Sequence, residues 1–147
     1  MKHQATEDLV NRWHNDLFTA GNLDAAEDIV TTDFVAHVAG RDFHGVAGAK
    51  EAANFIRTAF PDAVIQHHDV VASEDRVAIR WVGDGTHRGD YAGVPATGKR
   101  IHIEGIDMFH VENGKITEVW VTYDNLGVLQ TMGVIPVGEA ERPLATA

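Results

Sequence analysis

Asp124 closes an apolar, β-branched run, "ITEVWVTY", and directly precedes a short helical pattern, "NLGVLQTMG". A carboxylate there has two uses. As a helix N-cap it would accept hydrogen bonds from amides two or three residues on. At the bottom of a pocket, desolvated by Trp120, Thr122, Tyr123 and Leu126, it would be a better base, able to take a proton from carbon beside a carbonyl and return it. Spacing alone leaves both open.

Strand alternation puts Trp120 and Thr122 on the Asp124 side, with Val119, Val121 and Tyr123 opposite. The residues facing them depend on the turn at "ENGK". A two-residue primed turn pairs Asp107 with Trp120 and brings Asp107 to the Asp124 face. A type I turn with a glycine bulge slips the register by one and brings Glu104, Ile106, Met108 and His110 there instead. The bulged form suits Asn113 and Gly114, and it makes His110 the polar partner of Asp124 or of a ligand.

Further pocket candidates are spread along the chain. His37 lies in "FVAH", and His87 in "GTHRG" sits at a strand-to-loop exit, where it could line a mouth. Arg80 lies mid-strand in "VAIRWVG", where a buried cation needs a carboxylate, so a structural ion pair is the simpler expectation. Trp120 could form a flat apolar wall for a polycyclic ligand, and Trp81 belongs to a core or a subunit contact. His67 and His68 are adjacent, so in a strand they point to opposite faces. No H-x-x-x-H or H-E-x-x-H spacing occurs among the nine histidines and there is no cysteine, so no metal is expected.

These residues need elements to position them. "TEDLVNRWHNDLFTAG" reads as a helix capped by Thr6, with Leu9, Val10, Trp13, Leu17 and Phe18 on one face. "NLDAAEDIV" gives a shorter helix, "TTDFVAHV" an extended segment before a Gly-containing loop, and "VAGAKEAANFIRTAF" a third helix stopped by Pro61. The period then changes to two. Strands fit "AVIQHHDVVAS", "EDRVAIRWVGDGTH", "RIHIEGIDMFHV" and "ITEVWVTYD", with "RGDYAGVPATGK" a long loop and "NLGVLQTMG" a closing helix. Helices followed by long strands predict an α+β fold, with helices on one side of a curved antiparallel sheet and a ligand cavity between.

The totals fit one domain over residues 1–147, with a flexible tail at 137–147. A net charge of -10 repels phosphate backbones, which argues against nucleic acid. The amino terminus lacks an apolar signal region and no run approaches spanning length, so a cytoplasmic protein with no membrane partner is expected.

The order of elements, with "FVAH", "AFPD", "GTHRGDYAGVPATGK" and "HVENGKITEVWVTYDNLGVLQTMG", resembles the SnoaL-like polyketide cyclases of the nuclear-transport-factor-2-like superfamily, over roughly residues 5 to 135. The resemblance implies a cone-shaped α+β barrel with an internal pocket, usually a homodimer. It also implies ring closure by intramolecular aldol condensation on a small apolar or aromatic carbonyl ligand, without metal or cofactor. Asp124 then occupies the position of the acid/base, with His110 and His37 orienting or polarising the carbonyl. Around them the pocket would gather Trp120, Thr122, His87, Arg80 and Glu104. An epoxide hydrolase of the same superfamily would need a second Asp where Val82 stands. An isomerase or dehydratase using the same enolate, and a non-catalytic dimeric binder, are the other readings.

Overall fold

Leu9, Val10, Trp13 and Leu17 recur at helical spacing, and the first helix buries them as a stripe against the sheet. The computed structural model describes residues 3–138. Of the expected tail, Val137 and Gly138 are exposed and irregular, and 139–147 lie outside the described residues.

Helix α1 (Gln4–Arg12) starts from His3 rather than Thr6 and runs straight into a π-helical stretch, Trp13–Thr19. The wider turn brings two adjacent pairs inward, Trp13 with His14 and Leu17 with Phe18, all buried. Such segments recur at functional sites because they re-aim side chains within a helix. Its end is tied down by Arg57, whose Nη1 donates to the carbonyls of Phe18 (3.0 Å) and Thr19 (2.8 Å). A cation there satisfies carbonyls that the helix leaves open. A 3₁₀ turn (Leu23–Ala25) and a single turn, α2 (Ala26–Ile29), lead into the sheet, and α3 (Gly45–Ala59) packs on its first strands.

Six strands form one sheet: β1 (Val30–Val38), β2 (Arg41–His44), β3 (Val64–Ala72), β4 (Arg76–Thr86), β5 (Arg100–Glu112) and β6 (Lys115–Tyr123). Their order is β2-β1-β6-β5-β4-β3, antiparallel except that β1 runs parallel to β6. The sheet is curved and carries the helices on its inner face, as expected. It does not close, since β2 and β3 are free edges rather than barrel neighbours. The loop expected after "FVAHV" is a tight hairpin. Ala39 (φ 51°) and Gly40 (φ 78°) form the turn, and β2 pairs back on β1. Alanine rarely takes a left-handed φ, so Ala39-Gly40 lacks the Asn-Gly or Asp-Gly pair that marks such a hairpin.

The β5–β6 hairpin decides which side chains face inward. Asn113 (φ 50°) and Gly114 (φ 77°) form the two-residue primed turn, with Glu112 opposite Lys115. That turn alone would set Asp107 opposite Trp120. A bulge at Thr117 intervenes: Val111 pairs with Ile116, but His110 pairs with Glu118, so Met108 lies opposite Trp120 and Asp107 opposite Val121. Thr117 Oγ1 donates to the His110 carbonyl (3.2 Å) across the irregularity. The expected slip occurs, by a bulge in β6 rather than by a type I turn.

Inward-facing residues of β4, β5 and β6 then include Ile79, Trp81, Ile101, Asp107, Phe109 and Val119, all buried. Ile79, Trp81, Phe109 and Val119 pack with Trp13, Leu17, Ile29 and Phe34 into the main core. A smaller cluster, Phe60, Tyr91, Ile101, Val128 and Met132, seals the end under α4 (Asn125–Met132). Among the described residues, no helix is long and apolar enough to cross a membrane.

The indole of Trp81 lies across Gly105, where a Cβ would stand 2.5 Å from Trp81 Cζ2 and 2.8 Å from the Thr122 carbonyl oxygen. Both neighbours resist displacement. Gly105→Ala should therefore destabilise the fold by about 1–3 kcal/mol through overpacking, read as a lower urea midpoint.

Candidate active site

Between the helices and the inner sheet face lies a cavity with about 690 Å³ of atom-free space, counting the part open to solvent at its mouth. Its walls are largely apolar, with Phe18, Ile56, Phe60, Ile65, Ile103 and Val121 among them. Two buried ionisable side chains meet in its wall. Asp107, fully buried on β5, accepts the indole N–H of Trp81 at Oδ1 (2.8 Å) and lies against His14 Nε2 through Oδ2 (3.0 Å). His14 comes from the π-helical stretch and is itself buried. Each carboxyl oxygen thus has a directed partner where water cannot solvate it, the condition for keeping such a group inside apolar surroundings.

The pair extends outward. His14 Nδ1 is 2.6 Å from His67 Nε2, and His67 Nδ1 is 2.9 Å from Asn11 Oδ1. Burial and the neighbouring His14 push the His67 pKa down to about 4, the Asp107 charge opposing. Tyr123 also lines the cavity; its hydroxyl lies 2.7 Å from that of Tyr91, which donates to Asn125 Oδ1 at 2.5 Å. Burial raises both phenol pKa values, so the hydroxyls stay protonated.

The residues expected in the pocket stand elsewhere. Asp124 is exposed and N-caps α4, accepting the Gly127 amide at 2.9 Å. Thr122, Glu104 and Arg80 join it around an open depression on the outer sheet face. Arg80 forms an exposed ion pair with Asp69 (2.7 Å), the structural role that its mid-strand position suggested. His110, Trp120 and His37 form a second outer group. His110 and His37 pack on the Trp120 ring at 4.7 and 5.3 Å, and His37 bridges Glu118 (2.6 Å) and Asp42 (2.7 Å). Its pKa is raised, chiefly by Glu118. His87 is fully buried beside Phe60, its Nδ1 accepting the Thr97 amide (3.2 Å), rather than lining the mouth.

The misplacement has one cause. The helices cover the Asp107 face of the hairpin, so everything sharing Asp124's face points outward. Strand alternation makes Asp107 a candidate only as a neighbour of Asp124, and it gives no role to His14. One signal was present: His14 is a polar residue on the apolar stripe itself, four residues from both Val10 and Phe18. Among the described residues, no three His, Asp or Glu side chains are grouped to hold a metal.

A family model described as SnoaL-like polyketide cyclase matches residues 8–132. Among solved structures, a candidate polyketide cyclase from Bacillus cereus is 32% identical, covering 81% of this chain and 74% of that one, with TM-score 0.68. IdmH, a candidate polyketide cyclase from Streptomyces antibioticus, is 29% identical, covering 87% and 98%, with TM-score 0.72. A SnoaL-like protein from Jannaschia shares the fold at TM-score 0.80 with 20% identity, covering 90% and 94%. No curated protein matches the chain.

Two stability outcomes follow. Asp124→Ala should cost about 1 kcal/mol, the usual worth of an N-cap, measured by urea unfolding. Acidification should weaken the fold through His67. The folded ring accepts a proton only near pH 4, whereas an unfolded one does so near its ordinary 6.5. The unfolded chain therefore binds more protons in that window, and stability falls as pH drops through it. His67→Gln should flatten that part of the stability–pH curve.

Proposed function

The chain belongs to the SnoaL-like polyketide cyclase family, and from that membership we propose a cyclase-type acid/base enzyme acting on a small, largely apolar carbonyl compound, with Asp107 as proton carrier. One observation carries the reading: a buried ionisable pair, Asp107 with His14, in the wall of a largely apolar cavity. Both ring nitrogens of His14 are occupied by Asp107 and His67. With the shared proton on His14, each Asp107 oxygen accepts one bond and retains a free lone pair, so Asp107 is the group able to take a proton from a ligand.

The chemistry is an aldol closure. Asp107 removes a proton from carbon flanked by carbonyls, and the resulting enolate attacks a second carbonyl of the same molecule. One carbon–carbon bond forms, the attacked C=O becomes an alkoxide, and the proton held by Asp107 neutralises it. Both proton transfers belong to one side chain, so this mechanism requires no metal or cofactor. Trp81 and His14 fix the carboxylate's orientation, which acid/base catalysis needs as much as basicity. Asp124, hydrogen-bonded as a cap and exposed, is assigned to stability.

The partner surface is proposed as a second copy of this chain. Ile106 (56% exposed), Met108 (41%) and Trp120 (37%) lie on neighbouring strands of the outer face, with Met108 directly opposite Trp120. Contiguous apolar groups of this kind favour a covered surface. Sedimentation should give a dimer for the wild type and a monomer for Met108→Asp; a monomeric wild type would remove the proposal.

Asp107→Asn tests the chemistry with little change of shape, because an amide can still accept from Trp81 and donate to His14. Turnover of a panel of aryl β-diketones, followed by mass spectrometry, should fall at least ~100-fold. Binding, followed by fluorescence of Trp13 and Trp81 in the cavity wall, should persist. Unchanged turnover would exclude Asp107 as the base, and binding with no turnover by the wild type would identify a carrier rather than an enzyme.

A further inference from the structure

Five side chains from five segments stand in a hydrogen-bonded line: Trp81, Asp107, His14, His67 and Asn11. Trp81, Asp107 and His14 line the cavity, while His67 and Asn11 stand outside its lining and are partly exposed. The line therefore passes from the cavity wall, between the π-helical stretch and edge strand β3, to the surface. We propose that His67 and Asn11 form a proton relay that connects the Asp107–His14 pair to solvent by a route separate from the cavity mouth. The inference rests on Asp107 exchanging a proton with a ligand, and it assigns His67 a role that acts through His14.

Donor bookkeeping supports a relay. Asn11 Oδ1 only accepts, so His67 carries its proton on Nδ1, and its Nε2 lone pair faces His14. His14 must then donate from Nδ1, which leaves a single shared proton in the link between its Nε2 and Asp107 Oδ2. That proton makes either a carboxylic acid against a neutral ring or a carboxylate against an imidazolium. In the carboxylate–imidazolium form, Asp107 takes the proton from carbon on a free lone pair and becomes a carboxylic acid, which leaves the imidazolium without its counter-charge. His14 Nδ1–H then passes to His67 Nε2, and His67 Nδ1–H is released at the surface. One proton enters and one leaves, both rings end protonated on Nε2, and Asp107 keeps the proton it gained. Rotation of the Asn11 amide by half a turn presents its N–H₂ to the vacated His67 Nδ1, so the same geometry serves both states. Once the alkoxide has taken the proton from Asp107, reversal of the sequence restores the starting state.

The fold goes out of its way to deliver His67. Strand β3 is bulged at His68: His67 pairs with Trp81, but Asp69 pairs with Arg80. Bulges re-aim side chains on edge strands. A relay also answers a physical difficulty. A ligand that fills the apolar cavity excludes water from Asp107, and the carboxylate then needs a path through the protein to equilibrate with solvent.

The test is NMR on the intact protein labelled with ¹⁵N-histidine, using no ligand. Long-range ¹H–¹⁵N correlations should show a proton on Nδ1 of both His14 and His67. Solvent exchange of the His14 Nδ1 proton should slow at least tenfold in His67→Phe, whose ring blocks the outlet. Asn11→Leu, which keeps His67 in place, should slow it several-fold and decides the matter if His67→Phe does not fold. An Nε2–H tautomer on His67 at neutral pH, or His14 exchange that is unchanged or faster in a folded variant, would overturn the relay. Neither readout involves turnover, so its failure would leave the Asp107→Asn result standing, and the converse holds too.

Discussion

A carboxylate with no exposed surface has to be held by hydrogen bonds, and the inner half of this molecule is arranged around that requirement. Asp107 receives one donor from β4 and one partner from the first helix, 93 residues away in the chain. Removing one member of such a buried pair usually costs about 3–5 kcal/mol. The contact therefore links helix and sheet energetically as well as geometrically. It requires Trp81 to lie flat across Gly105, His14 to turn inward within a π-helical stretch, and β5 to present Asp107 rather than its neighbours.

That last condition rests on a single extra residue. Without the Thr117 bulge, the primed turn at Asn113-Gly114 would set Asp107 opposite Trp120 rather than Val121. Side chains alternate with period two, so a one-residue slip exchanges the two faces of a strand. The bulge lets a tight turn coexist with a register that keeps Phe109 and Val119 in the core and Met108 and Trp120 outside.

The sheet consequently has two chemically different faces. Inside, ionisable groups are few and tightly partnered, and apolar walls supply the rest of the cavity. Outside, His37, Asp42 and Glu118 form an exposed cluster beside Trp120, and Arg80 pairs with Asp69. Charges there are screened by water and contribute little individually. The same residue types have different consequences on the two faces because the dielectric surroundings differ.

Much of this could be read without coordinates. Helical spacing located the helices that cover the sheet, period-two runs located the four long strands, and the residues after Asp124 identified it as a plausible cap. The grouping of Glu104, His110, Trp120 and Asp124 on one face also followed from alternation and the slipped register. Which face was inner did not follow. Alternation gives parity only, and here both faces carry apolar residues: Ile106, Met108 and Trp120 outside, Ile103, Phe109 and Val119 inside. The pattern has no contrast to indicate a side. The docking of α1 and its π-helical extension onto the Asp107 face made that choice, and it brought together His14, His67 and Asp107, which no local spacing connects. Sequence determined the elements and their periods; long-range packing decided which of their two faces would be dry.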